Sequence, residues 1–213
     1  MWNQAEELMN VGRSFHQRGW SLGTSGNFSL VLDREPLRVL ITASGRDKSR
    51  LKRDDFVVID EAGRPVEVGI RPANRPSAEA LLHVVAARWA GAGAVLHTHS
   101  VWATLLSDLH ALQGGMVLEG YEMLKGLEGI GTHEARLWIE IMENTQDIPA
   151  LARQVEERMR APRQTMKHGF LIRNHGLYAW GRNLEEAWRH VEIFEFLFEV
   201  LGRKKSLSYH AER

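Results

Sequence analysis

Two histidines spaced two apart close a short apolar run, Ala94-Val95-Leu96-His97-Thr98-His99-Ser100. In an extended strand residues i and i+2 point to one side, about 6.5 to 7 Å apart, so one metal ion can reach both imidazoles. That makes His97 and His99 candidate metal ligands. Such a pair also occurs on solvated strand ends, and alone it does not decide between the two readings. His175 bears on the choice. It follows the apolar run Phe170-Leu171-Ile172 within Arg173-Asn174-His175-Gly176, and the glycine after it leaves the backbone room. Local geometry cannot join stretches so far apart in the chain, but neighbouring strands of one sheet can. Three histidines would leave open the coordination position that a catalytic Zn2+ needs.

Other stretches carry chemistry of a different kind. The loops at Gly26-Asn27, Ser44-Gly45 and Ser77 each combine backbone N–H groups with a small polar side chain, the raw material of an anion nest. Taken singly, each also reads as an ordinary turn. None matches a phosphate-binding P-loop or a dinucleotide fingerprint, so a nucleotide is not indicated. Two glutamates are acid/base candidates: Glu79, four residues before His83, and Glu122, between Gly120 and Gly126. An isolated glutamate is more commonly a solvated surface group. His83 reads as a packed helix histidine, and the other histidines have no partner at suitable spacing.

These residues need a scaffold. Ala5, Leu8, Met9, Gly12 and Phe15 recur at helical spacing and predict an opening helix that ends near Gly19. Phe28–Leu32, Val39–Ile41 and Phe56–Ile59 read as strands, followed by a turn into a short Val66–Val68 segment and a proline-containing stretch from Arg71 to Pro76. Ser77 then reads as the N-cap of a helix that carries Ala80, Leu81, Val84, Val85 and Arg88 and stops at Gly91. After the histidine strand come a short helix from Val101 to Leu106, a glycine-punctuated region from Gly114 to Gly131 and a strand from Leu137 to Met142. Pro149 suits the first turn of a helix reaching about Met159. Two strands flank His175-Gly176. Asn183, with Glu186 three residues on, opens a last helix expected to end at Gly202. The order predicts an α/β sandwich, a mainly antiparallel central sheet with helices on its faces.

Composition bounds the rest. The 213 residues, 44% of them hydrophobic, suit one domain over 1–213 with a tail set apart beyond about residue 205. Lys plus Arg and Asp plus Glu both total 27, so no overall field favours nucleic acid or an anionic membrane. Cysteine is absent, which restricts any metal centre to nitrogen and oxygen ligands. No signal-like leader opens the chain and no long apolar run interrupts it, and the expected location is the cytoplasm.

From the opening helix to the terminal one, the chain resembles the class II aldolase family of metal-dependent sugar-phosphate enzymes. Thr24-Ser25-Gly26-Asn27, Thr42-Ala43-Ser44-Gly45, Pro76-Ser77-Ala78-Glu79, His97-Thr98-His99 and Asn174-His175-Gly176 appear in the family's order. Glu122-Met123-Leu124-Lys125-Gly126, Glu143-Asn144-Thr145 and the run from Arg173 to Gly181 resemble the family's dehydratases. The resemblance implies zinc at His97, His99 and His175, phosphate binding by the loops at Asn27, Ser44-Gly45 and Ser77, and Glu122 as the acid/base. It further implies a small-molecule sugar-phosphate substrate and a fourfold-symmetric homotetramer. Two departures stand out: Glu79 falls where the family's aldolases keep a glutamate close to the metal, and Ala78 replaces a serine of their phosphate loop. An aldolase or epimerase of the same fold, and a non-catalytic scaffold, are the alternatives.

Overall fold

The structure, a computed structural model, describes residues 2–66, 74–161 and 166–211. The expected segment beyond Val66 and the stretch from Arg71 to residue 73 lie outside these. Among the described residues, five α-helices, α1 (Trp2–Gln17), α2 (Ala80–Trp89), α3 (Val101–Leu109), α4 (Ile148–Arg160) and α5 (Leu184–Ala211), are interspersed with eight strands. The strands are β1 (Asn27–Arg34), β2 (Leu37–Thr42), β3 (Phe56–Ile59), β4 (Ala94–Thr98), β5 (Gly115–Leu118), β6 (Leu137–Met142), β7 (Gly169–Ile172) and β8 (Gly176–Gly181). They form one sheet in the order β3-β2-β1-β4-β8-β7-β6-β5, antiparallel except between β6 and β7. This is the expected α/β sandwich.

Alternation along the strands sorts the core into two layers. Ala94 and Leu96 of β4 and Leu177 and Ala179 of β8 pack with Leu8, Val11 and Phe15 of α1, Ala103 of α3 and Phe194 of α5. Val95, Tyr178 and Trp180 face the other way, against Leu82 and Val85 of α2 and Leu151 and Val155 of α4. Because both faces are covered, central strands such as β4 and β8 are buried at every position.

Three boundaries differ from expectation for physical reasons. Pro76 makes an isolated bridge to Ala43, which keeps the chain extended past Ser77, so α2 starts at Ala80. Ser77 does not cap it; its hydroxyl accepts from the Glu79 N–H at 3.2 Å instead. Within the glycine-punctuated region, Gly115 opens the edge strand β5, where a Cβ would lie 2.4 Å from the Trp138 ring. At the C-terminus α5 runs straight through Gly202 to Ala211. Gly202 is a contact residue: a Cβ there would sit 2.2 Å from Trp102 of α3.

A test follows for Gly202. In a free helix Gly→Ala is worth about 1 kcal/mol of stability, yet overpacking typically costs about 1–3 kcal/mol. Gly202→Ala is therefore expected to lower the urea midpoint; a raised midpoint would show that Trp102 swings aside at no cost.

Candidate metal centre and its cavity

Strand parity delivers the first two histidines. Val95 and His97 share the side of β4 that faces α2 and α4, Thr98 points to the opposite layer, and His99 follows directly after the strand end. Antiparallel pairing sets His97 opposite Tyr178 and Thr98 opposite Leu177. The turn between β7 and β8 then brings in His175. Asn174 takes a left-handed φ of 52°, which its short polar side chain tolerates. Its N–H donates to the Ser107 hydroxyl at 3.1 Å, and its amide and the Arg173 guanidinium both donate to Asp108. The Thr104 hydroxyl donates to the His175 carbonyl at 3.1 Å, so α3 fixes the turn from beneath. Gly176 permits the close approach of the strands, since a Cβ would stand 1.9 Å from the Thr98 carbonyl oxygen.

The three Nε2 atoms converge, His97 to His99 at 2.8 Å, His99 to His175 at 3.0 Å and His97 to His175 at 3.3 Å. Among the described residues, these three form the group able to share a metal ion. His97 donates its Nδ1–H to the Leu177 carbonyl at 2.9 Å, which leaves its Nε2 lone pair facing the other two rings. Burial, followed by repulsion from His99 and His175, holds the His97 pKa well below its ordinary value; burial and His175 bring His99 to about 4. Three imidazole nitrogens aimed at one point are the donor set of a metal site, so the group fits a divalent metal. Tyr178 stacks on the His97 ring at 4.0 Å, with Phe170 stacked behind Tyr178.

Glu79 completes the centre. Its Oε2 lies 3.5 Å from His97 Nε2 and its Oε1 lies 3.6 Å from His175 Nε2. Oε2 accepts from Asn27 Nδ2 and from the Tyr178 hydroxyl, each at 2.8 Å. Behind Asn27, its Oδ1 accepts from His83 Nε2, and His83 Nδ1 accepts from the Ser29 hydroxyl at 2.7 Å. Full burial pushes the His83 pKa down to about 3, which keeps the ring neutral in this chain of partners. His83 is the packed histidine the sequence suggests, and beyond packing it orients the amide that in turn orients Glu79.

A cavity of about 290 Å³ opens over the histidines, and Asn27, Ser44, Gly45 and Ser77 line it together with Glu79, His99 and His175. All four loop residues named from sequence thus share one hollow. The Asn27 amide is already committed to Glu79 and His83, however, and the Ser44 N–H to the Arg75 carbonyl at 3.0 Å. Lys48 and the segment Asn144-Thr145-Gln146 line the cavity as well. Lys48 escaped the sequence reading although it stands only three residues after Gly45.

Glu122 is elsewhere. It sits in a 3-10 segment, Glu122–Gly126, its carboxylate exposed and paired with Lys125 at 2.6 Å. Lys125 holds its pKa below the usual range. The following residues bind the far end of the sheet, where the Glu128 carbonyl accepts from His168 and the Glu128 N–H donates to His190. Within one chain Glu122 does not line the histidine cavity.

Behind the histidine strand lies a group the sequence did not single out. Glu195 of α5 is 3% exposed and accepts from the Thr98 hydroxyl at 2.8 Å, with the Ser100 hydroxyl as a second partner. Thr98 and Ser100 flank His99. Burial pushes the Glu195 carboxyl up to about 7, and its Oε2 has no partner among the described residues.

Residues 6–201 match the family described as Class II Aldolase and Adducin N-terminal domain. The methylthioribulose-1-phosphate dehydratase of Marinobacter nauticus is 46% identical over 92% of this chain and 90% of its own length. That of Xanthomonas campestris pv. campestris is 49% identical over 91% and 85%. Among solved structures, an L-fuculose 1-phosphate aldolase superimposes with a TM-score of 0.77 at 25% identity, covering 97% of this chain and 88% of that one. The Thermus thermophilus enzyme of that name does so with a TM-score of 0.74 at 24% identity, covering 98% of both chains.

Two measurements probe the centre. Alanine at His97, His99 or His175 is expected to abolish stoichiometric metal binding with the far-ultraviolet circular dichroism kept, whereas His83→Ala retains metal; undiminished metal in the His175 variant would remove that ligand. Glu195 sets a pH dependence. Its folded pKa lies above the ordinary carboxylate value, so the folded state binds the extra proton and stability falls as pH rises from about 4.5 to about 7. Glu195→Gln removes that loss, on the order of 3 kcal/mol. In denaturant titrations the variant should gain on the wild type across this window, and a pH-independent difference would contradict the assignment.

Proposed function

The chain belongs to the Class II Aldolase and Adducin N-terminal domain family, and from that premise we propose that it is a zinc-dependent lyase that removes water from 5-methylthioribulose 1-phosphate. The product is 2,3-diketo-5-methylthiopentyl 1-phosphate, a step of methionine salvage. One observation carries the chemistry: three imidazole nitrogens and the Glu79 carboxylate meet at the floor of a hollow rimmed by hydroxyl and backbone donors. The names of relatives 44–49% identical over nearly the whole chain support the substrate.

A zinc ion held by His97, His99 and His175 would polarise the C2 ketone and acidify the C3 proton. Glu79 is placed to take that proton. Its Oε2 is occupied by Asn27 and Tyr178, which orients Oε1 on the His175 side as the free base. The C4 hydroxyl then leaves, takes up a proton from an acid and departs as water; the enol at C3 becomes the second ketone by accepting a proton at C4. We assign the donor acid to Glu122. Since Glu122 lies outside the cavity of its own chain, the assignment requires delivery by a neighbouring subunit of a homotetramer. An exposed apolar stripe on α3 supports such contacts, with Val101, Leu105 and Leu109 spaced four apart and 65%, 49% and 62% exposed. The Ser44, Gly45 and Ser77 rim, with the backbone at Asn27, would hold the phosphate, and the substrate is a small sugar phosphate in solution rather than a nucleic acid or membrane.

Glu79 beside the metal ligands also favours a second reading, an aldolase or epimerase acting on fuculose 1-phosphate or ribulose 5-phosphate. Assays of zinc-loaded protein on the three substrates should give turnover with methylthioribulose 1-phosphate; preference for either of the others would replace the dehydratase. Glu122→Gln should lower kcat by roughly 10²- to 10⁴-fold with zinc retained, while the substrate C3 proton still exchanges with deuterated water. Glu79→Gln should abolish that exchange. Near-normal dehydration by the Glu122 variant would leave Glu79 as the sole acid/base.

A further inference from the structure

Lys48 is 1% exposed and yet lines the histidine cavity. Its ammonium donates to two backbone carbonyls, Thr24 at 3.0 Å and Arg46 at 2.7 Å. Three N–H bonds are available on an ammonium, so one remains. Among the described residues no carboxylate comes within 4.0 Å of it; Asp47 and Asp55 act on it only through longer-range attraction. An ammonium removed from water without an ion-pair partner is costly to keep. Folds that retain such a charge in a cavity wall gain from it when an anion enters.

The surroundings specify which anion. Lys48 is the one lysine or arginine among the described residues that line the cavity. The rest of that wall consists of Thr24, Ser25, Gly26, Ser44, Gly45 and Ser77, small donors suited to tetrahedral oxygens. Glu79 lines the same hollow, and its negative charge would repel a phosphate, which leaves Lys48 as the charge that attracts one. Fixation comes from behind: Gly12 of α1 lies against the Lys48 backbone, where a Cβ would be 2.2 Å from the carbonyl oxygen.

We propose that Lys48 is the cationic anchor for a phosphate group on the substrate, binding it from the cavity wall while its two carbonyl contacts hold the surrounding loops in place. This rests on the reading of the substrate as a phosphate ester, but not on which reaction follows. Burial brings the Lys48 pKa down to about 8, so the anchor is charged at neutral pH and weakens above it.

Titration of zinc-loaded protein with inorganic phosphate tests this directly, by calorimetry and independently of turnover. Lys48→Met should weaken phosphate binding roughly 10- to 100-fold, the worth of a charge-assisted hydrogen bond. It should raise KM by a similar factor with kcat within a few-fold and zinc content unchanged. Lys48→Gln separates anchoring from tethering, because an amide still donates to the Thr24 and Arg46 carbonyls. It should stay as defective toward phosphate as the methionine variant. Phosphate affinity equal to wild type in Lys48→Gln would make Lys48 a loop tether and overturn the proposal, as would a wild type that binds no phosphate. A wild type that binds phosphate through Lys48 but dehydrates nothing would sink the dehydratase and leave the anchor standing.

Discussion

The pairing of β4 with β8 is the constraint on which the site depends. His97 opposite Tyr178 puts two imidazoles and a phenol on one side of the sheet, and Thr98 opposite Leu177 turns the intervening hydroxyl into the other layer. A slip of one residue would exchange these sets and drive both histidines into the apolar layer under α5. Burial on both faces makes that slip expensive, so the core that stabilises the fold also enforces the convergence of the histidines. Gly176 belongs to the same constraint, because only a residue without a side chain lets the second strand start directly over the Thr98 carbonyl.

Polar groups inside this core are organised as a line rather than a cluster. Ser29, His83, Asn27, Glu79 and Tyr178 are joined in sequence by hydrogen bonds from β1 through α2 to β8. Each donor meets one acceptor, which limits the desolvation cost of burying them. The outcome is a carboxylate with a single rotamer and one oxygen held back from the network. A surface glutamate would lose that orientation to solvent and side-chain entropy.

Much of this was legible in the chain. The apolar runs around the histidines marked central strands because burial on both sides requires uninterrupted hydrophobicity, and β3 and β6 fall on the residues their patterns predict. Glycine was the poorer guide. Gly19, with φ of 77°, does close α1, but Gly202 and Gly115 are set by what packs on them, a long-range fact that local propensity cannot carry. Ser77 misled for a similar reason: the bridge of Pro76 to Ala43, formed by chain distant in sequence, postpones the helix. In the site, spacing revealed the two histidines at the end of β4 that converge with His175. Lys48 and Glu195 were invisible because their significance comes from burial, and a lone lysine or glutamate in sequence reads as surface.

The close seat of Gly12 on the Lys48 carbonyl has a consequence for how the protein can be altered. The opening helix is remote from the histidines along the chain, yet its backbone is in van der Waals contact with the turn that aims a cavity side chain. Helix α1 is thus a lever on the rim of the hollow. Fusions, linkers or crosslinks that rotate or pull this helix would be transmitted by rigid contact to the loops at Thr24 and Arg46, which Lys48 ties together. A designer seeking to reshape substrate preference could work from this outer helix, leaving the three histidines and Glu79 in place.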